Sequence, residues 1–168
     1  MPQLISLPNE VLLAEVSQLI REGYSVTLTV RGFSMRPFLE DRRDKAVLAP
    51  YDTLRLGDVI LAEITPGHYV LHRIVGLDGD TITLMGDGNL VGRETCTRDQ
   101  VRGRATAFYR KGSERPVITD GRLWKTYSAL WTRLLPVRRY LLAFYRLVWL
   151  RIHPSTLNRH TNETQKRI

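Results

Sequence analysis

The stretch Leu56–Gly88, LGDVILAEITPGHYVLHRIVGLDGDTITLMGDG, decides the fold class. Its apolar residues come in short runs broken by Pro66-Gly67, by Asp78-Gly79-Asp80 and by Gly86-Asp87-Gly88. Short runs of Val, Ile, Leu and Thr bounded by turn residues read as strands rather than helices. This places strands near 57–64, 69–76 and 80–85, and the same pattern outward adds 45–49 and 101–110. Several short strands at such spacing predict a mainly antiparallel β domain.

Upstream, Leu12, Val16, Leu19 and Ile20 recur at helical spacing, so a helix is predicted from about Pro8 to Glu22, with Gly23 as its stop. Tyr24 to Arg31 then alternates as a half-buried strand does, and Gly32-Phe33-Ser34-Met35-Arg36-Pro37 follows as an exposed loop. Downstream, GSERPVITDG reads as a linker over 112–121. Two helical stretches follow, about 122–135 and 137–152, parted by Pro136, and the chain turns polar from about Pro154. The expected organisation is an N-terminal helix (1–23), a β domain (24–111), the linker, and a basic amphipathic tail (122–168).

At 168 residues, with 43% hydrophobic and 25% charged residues, the chain has the balance of one globular domain. The net charge of +8 is unevenly spread. Residues 1–120 hold 15 Lys+Arg against 16 Asp+Glu, whereas residues 121–168 hold the other 10 against Glu163 alone. Such a split predicts a near-neutral working domain and an appendage that meets something anionic. A single cysteine, Cys96, excludes an internal disulfide framework and a Cys-rich zinc site. No cofactor motif is visible. The N-terminus lacks the basic and apolar regions of a secretory signal, and no run reaches the roughly 18 apolar residues of a membrane span.

Three stretches carry chemistry. In Gly32–Pro37 a glycine-flanked turn directly after a strand can expose the Ser34 hydroxyl, and a loop serine can equally bond its own turn. In Tyr69–Gly76 alternation puts His72 on one face with Val70 and Ile74, as either a satisfied core histidine or a general base. In Met85-Gly86-Asp87-Gly88-Asn89, Asp87 can cap its own turn, or it can orient the His72 imidazole.

Taken in order, G-x-S-M-x-P, L-G-D-V-I (Leu56–Ile60), H-R-I-V-G and G-D-x-N resemble the signal-peptidase and LexA-type serine peptidase group over roughly residues 26–108. The resemblance implies coiled antiparallel β-sheets, Ser34 as nucleophile and, since histidine stands where the bacterial enzymes carry lysine, the Ser–His subtype of the endoplasmic reticulum. It implies Asp87 as the third member, with Gly32, Phe33, Met35 and Pro37 near substrate and oxyanion. The chain departs from the pattern at Gly32, where signal peptidases often carry an oxyanion-hole serine. It departs again at Gly92 and Arg93, on which the family's later acidic pair falls. Neither the membrane segment of typical signal peptidases nor the Ala-Gly or Cys-Gly cleavage site of LexA-type repressors is found.

The function expected from these features is hydrolysis of a precursor or leader peptide by acyl transfer, without metal or cofactor, near the cytoplasmic face of a membrane. The alternative is an inactive peptidase-fold adaptor that binds peptide or membrane. In the tail, Leu123, Tyr127, Leu130, Trp131 and Leu134 share one helical face, and Val137, Leu141, Phe144 and Val148 another. With arginines between them and tryptophans at 124, 131 and 149, residues 122–152 fit an interfacial helix on anionic lipid. A hairpin packed on the β domain has the same pattern. Nucleic acid is disfavoured, because the aromatics follow helical spacing and form no stacking platform.

Overall fold

A computed structural model describes residues 9–134 and 136–149. Pro8, Leu135 and the expected helix end and polar terminus beyond Trp149 lie outside the described residues. The chain divides into two compact units between Arg133 and Leu134.

The first unit opens with helix α1 (Asn9–Arg21), which has Glu10 in its first turn and Arg21 in its last, each favourable to the helix dipole. Val16 and Ile20, one turn apart, are both buried. Gly23, at φ +96°, ends the helix in a conformation that glycine adopts without strain. Eight strands follow: β1 (Val26–Thr29), β2 (Lys45–Ala49), β3 (Val59–Thr65), β4 (His68–Asp78), β5 (Thr81–Met85), β6 (Glu94–Thr97), β7 (Val101–Tyr109) and β8 (Val117–Ile118). They form one antiparallel sheet in the order β1-β2-β7-β3-β4-β5-β6, with β8 added to β7. The mainly antiparallel β fold with an N-terminal helix and C-terminal helices is thus as the turn spacing predicts.

At the centre of the sheet both faces are covered. Along β3, Val59 and Leu61 enter one apolar cluster with Val16, Met35, Leu48 and Phe108, while Ile60 and Ala62 enter a second with Ile74, Ile82 and Leu84. Alternation along one strand feeds both cores. Register shifts in the β2–β7, β3–β4, β3–β7 and β4–β5 pairs locally bend the strands that wrap these cores.

The structure differs from the sequence expectation downstream of residue 86. Strand β6 is an element that turn spacing leaves out, and β8 pairs with β7 inside the stretch expected to be a linker. Helix α2 (Arg122–Arg133) belongs to the first unit rather than to a separate tail. Its Trp124 is buried against Phe38 and Phe108, with ring centroids 4.6 and 5.0 Å away. Ser128 faces Gly57, where an added Cβ would meet the serine Cβ at 3.1 Å. An apolar helical stripe serves a sheet as well as a lipid surface, and here the sheet takes it. The second unit holds helix α3 (Arg138–Phe144), which runs on into a π-helical turn (Tyr145–Trp149). Among the described residues no helix is long and apolar enough to cross a membrane.

The loop between β1 and β2 closes on one buried carboxylate. Asp44 accepts from the backbone N–H groups of Glu40 (2.8 Å) and Lys111 (2.9 Å) and from both ends of the Arg43 guanidinium (2.8 Å each). Burial pushes its carboxyl upward, but the Arg43 hydrogen bond and the two backbone donors outweigh burial and hold it below the ordinary 3.8. A carboxylate depressed on folding stabilises the fold above its unfolded pKa, and that contribution is lost as pH falls through the folded one. Asp44→Asn is therefore expected to lose about 1–3 kcal/mol near neutrality. Urea melts of both proteins should converge as pH drops below about 4, and a gap that stays constant into acid would remove this role from Asp44.

Candidate active site

Ser34 lies in the loop that leaves β1. Gly32, at φ +88°, turns the chain there, and its N–H donates to Asp41 Oδ1 at 2.7 Å. Met35 drops into the core, Leu39 N–H closes on Met35 O at 2.9 Å, and Arg36 pairs with the Glu40 carboxylate. Between these anchors Ser34 stays half-buried. Its carbonyl accepts from Gly88 N–H at 2.7 Å, which ties the Ser34 loop to the G-D-G-N turn. Glycine is sterically required at 86, and position 88 is tight. A Cβ on Gly86 would meet Ser34 O at 2.5 Å, and one on Gly88 would meet Phe33 O at 3.0 Å. Among the described residues the Ser34 N–H donates no hydrogen bond, leaving it available for a developing oxyanion.

His72 is on β4, opposite Ile60 of β3, and is buried. Its Nδ1 is 3.0 Å from Glu94 Oε2, on β6. An ionised carboxylate only accepts, so Nδ1–H donates and the Nε2 lone pair is left for a proton. Glu94 keeps about a third of its side chain in water (30%), so its charge needs no second partner. The next residue on β4, Arg73, faces the other way. It is fully buried and forks onto Asp87, with Nε to Oδ1 and Nη2 to Oδ2 both at 2.7 Å.

Asp87 therefore does not orient His72, as the sequence assigned it. It neutralises Arg73, and Glu94 takes the orienting position. Counting along from the G-D-x-N turn reaches Gly92 and Arg93, one residue short of Glu94. The signal that could have found it is the E-T-C-T alternation, which puts Cys96 into the core and Glu94 on the same side of β6.

Ser34, Met35 and His72 line one cavity of about 230 Å³, whose walls are mostly apolar side chains such as Leu13, Leu28, Leu48 and Leu71. No hydrogen bond joins Ser34 to His72 among the described residues, although both border this space. Phe33 is exposed beneath the Arg36 guanidinium, 4.1 Å from its ring centroid, and neither Phe33 nor Gly32 nor Pro37 lines the cavity. None of Lys45, Lys111 and Lys125 lines it either. Cys96 is no rival nucleophile, since burial pushes its thiol up to about 11. Among the described residues no three His, Cys, Asp or Glu side chains converge as a metal site.

No protein-family model matches the chain, and no curated protein sequence matches it significantly.

The two carboxylates should separate experimentally. Asp87→Asn strands a buried guanidinium and is expected to cost about 3 kcal/mol or more in urea unfolding. Glu94→Gln, at a partly exposed side chain, should cost about 1 kcal/mol or less. The reverse ranking would overturn the division of roles between them.

Proposed function

We propose that the chain is a serine endopeptidase of the signal-peptidase kind, which trims a precursor or leader peptide. The observation that carries this reading is the convergence of Ser34 and His72 on one apolar cavity, with Glu94 fixing the imidazole tautomer from behind. Nucleophile, base and orienter in that relation are what acyl transfer by a serine requires.

In the first half-reaction His72 Nε2 takes the Ser34 Oγ proton as Oγ attacks the scissile carbonyl carbon. The oxyanion that forms is within the chemistry of the Ser34 N–H, which compensates for a glycine at position 32. His72 then passes the proton to the leaving amine, the C–N bond breaks, and an ester remains on Ser34. In the second half-reaction His72 deprotonates a water that attacks the ester, and the proton returns to Ser34 Oγ as the acid product leaves. Glu94 stabilises the imidazolium each time it forms. Substrate docking closes the Ser34–His72 distance, as catalytic hydrogen bonds often tighten only in the complex.

An extended substrate has a natural track. β1 is at one edge of the sheet, paired on one side with β2, and Leu28, Thr29, Val30 and Arg31 border the cavity. A peptide strand added to that edge would present alternate side chains to the apolar walls.

The test is mass analysis of precursor peptides incubated with the protein. Ser34→Ala and His72→Ala are each expected to lower turnover by about a thousandfold or more, and the double variant by no more than either, because the members of one catalytic unit fail together. Wild-type turnover in Ser34→Ala would remove Ser34 as the nucleophile, and peptide binding with no cleavage by the wild type would replace this reading with the adaptor.

A further inference from the structure

In the second unit an apolar side of α3 is exposed. Tyr140, Leu141 and Phe144 are 61%, 41% and 65% exposed on one side of α3, and the π-helical turn continues them with Leu147 (66%) and Val148 (38%). A helix in water normally does the reverse, with polar residues outside. Arg138 is buried, and among the described side chains the exposed basic group beside this stripe is Arg139. The exposed Arg139 places its guanidinium over the Tyr140 ring, 4.6 Å from the centroid, and hydrogen-bonds the Tyr140 hydroxyl. Residues 134–149 contain three arginines and no acid, within a segment where ten Lys+Arg face Glu163 alone.

We propose that this stripe is the protein's docking surface for an anionic lipid bilayer, lying in the interface with its apolar side chains below the headgroups. Charge decides between the possible occupants. A second copy of the chain would bring its own arginines against these, whereas an anionic headgroup layer complements them. The chemistry of the rim agrees: an arginine stacked on a tyrosine whose hydroxyl stays polar suits headgroup depth. Trp124 and Trp131, which the sequence assigns to that depth, are buried, so the contact passes to α3. The Trp149 side chain lies outside those described. This inference is independent of the peptidase reading, because no residue of the stripe lines the Ser34 cavity.

The experiment is co-sedimentation of the full chain with phosphatidylcholine vesicles, with and without phosphatidylglycerol, at low and high salt. The wild type is expected to bind the anionic vesicles, to weaken in high salt, and to keep a salt-resistant remainder from apolar insertion. Leu141→Glu/Phe144→Glu should lower that binding by about tenfold or more, since each side chain loses its place in the apolar layer. Leu147→Glu alone should act in the same direction, which covers a double variant that fails a circular-dichroism check of its fold. Cleavage of a soluble peptide should be unchanged in both. Undiminished binding by the folded variants would overturn the proposal. So would a wild type that ignores anionic vesicles, including one that sediments as a dimer which the variants dissociate.

Discussion

The elements around Ser34 are held together by one buried ion pair, Arg73 with Asp87. Burial alone would lower the proton affinity of the Arg73 guanidinium, but the charge and hydrogen bonds of Asp87 outweigh burial and hold it above its ordinary value. Both Nη1 donors are used as well: Arg73 Nη1 donates to Gly57 O at 2.9 Å and to the Ser128 hydroxyl, and the faces of Trp124 and Tyr127 lie 4.8 and 5.5 Å away. A charge paired and hydrogen-bonded in this way can stay buried, and one deprived of its partner cannot. The pair therefore joins strand β4, the turn after β5 and helix α2 into one block.

The Ser34 loop inherits its position from that block. With Asp87 held, Gly86 comes against the Ser34 carbonyl at a distance no side chain would permit, and Gly88 comes tightly against the Phe33 carbonyl. Successive residues of a strand point to opposite faces, so Arg73 can anchor the scaffold while His72, one residue earlier, meets Glu94. The His72–Glu94 contact and the scaffold contact thus share one strand. Precise sites are built in this way, with functional side chains on regular elements and a second layer of contacts locking them.

Much of this was legible in the sequence. The strands between Lys45 and Met85 were readable because turn residues mark their ends, and the loop setting of Ser34 and the strand setting of His72 because a glycine turn and an alternating strand are local signals. The roles of Asp87 and Glu94 depend instead on register. Arg73 pairs with Met85 across β4 and β5, so the turn that begins at Gly86 is met by the Arg73 side of the strand and not by the His72 side. One residue of parity reverses the assignment, and a sequence without strand pairing does not carry it. Helix α2 was expected, but whether it packs on the sheet or lies on lipid was left open for a different reason. Its apolar stripe suits sheet and bilayer alike, and the discriminating detail is the small pair Gly57 and Ser128, which lets the helix approach closely enough for Arg73 to bond both.

The separation of the two carboxylates also sets which positions can drift together over evolutionary time. Arg73 and Asp87 form a closed pair, so a change at either is tolerated only with a matching change at the other, with Ser128 and Gly57 following. His72 and Glu94 form a second pair on the opposite face, and a change at position 72 would release position 94 without disturbing position 87. The scaffold pair can therefore remain constant while the residues at 72 and 94 change together, which makes that second pair a replaceable part of this architecture.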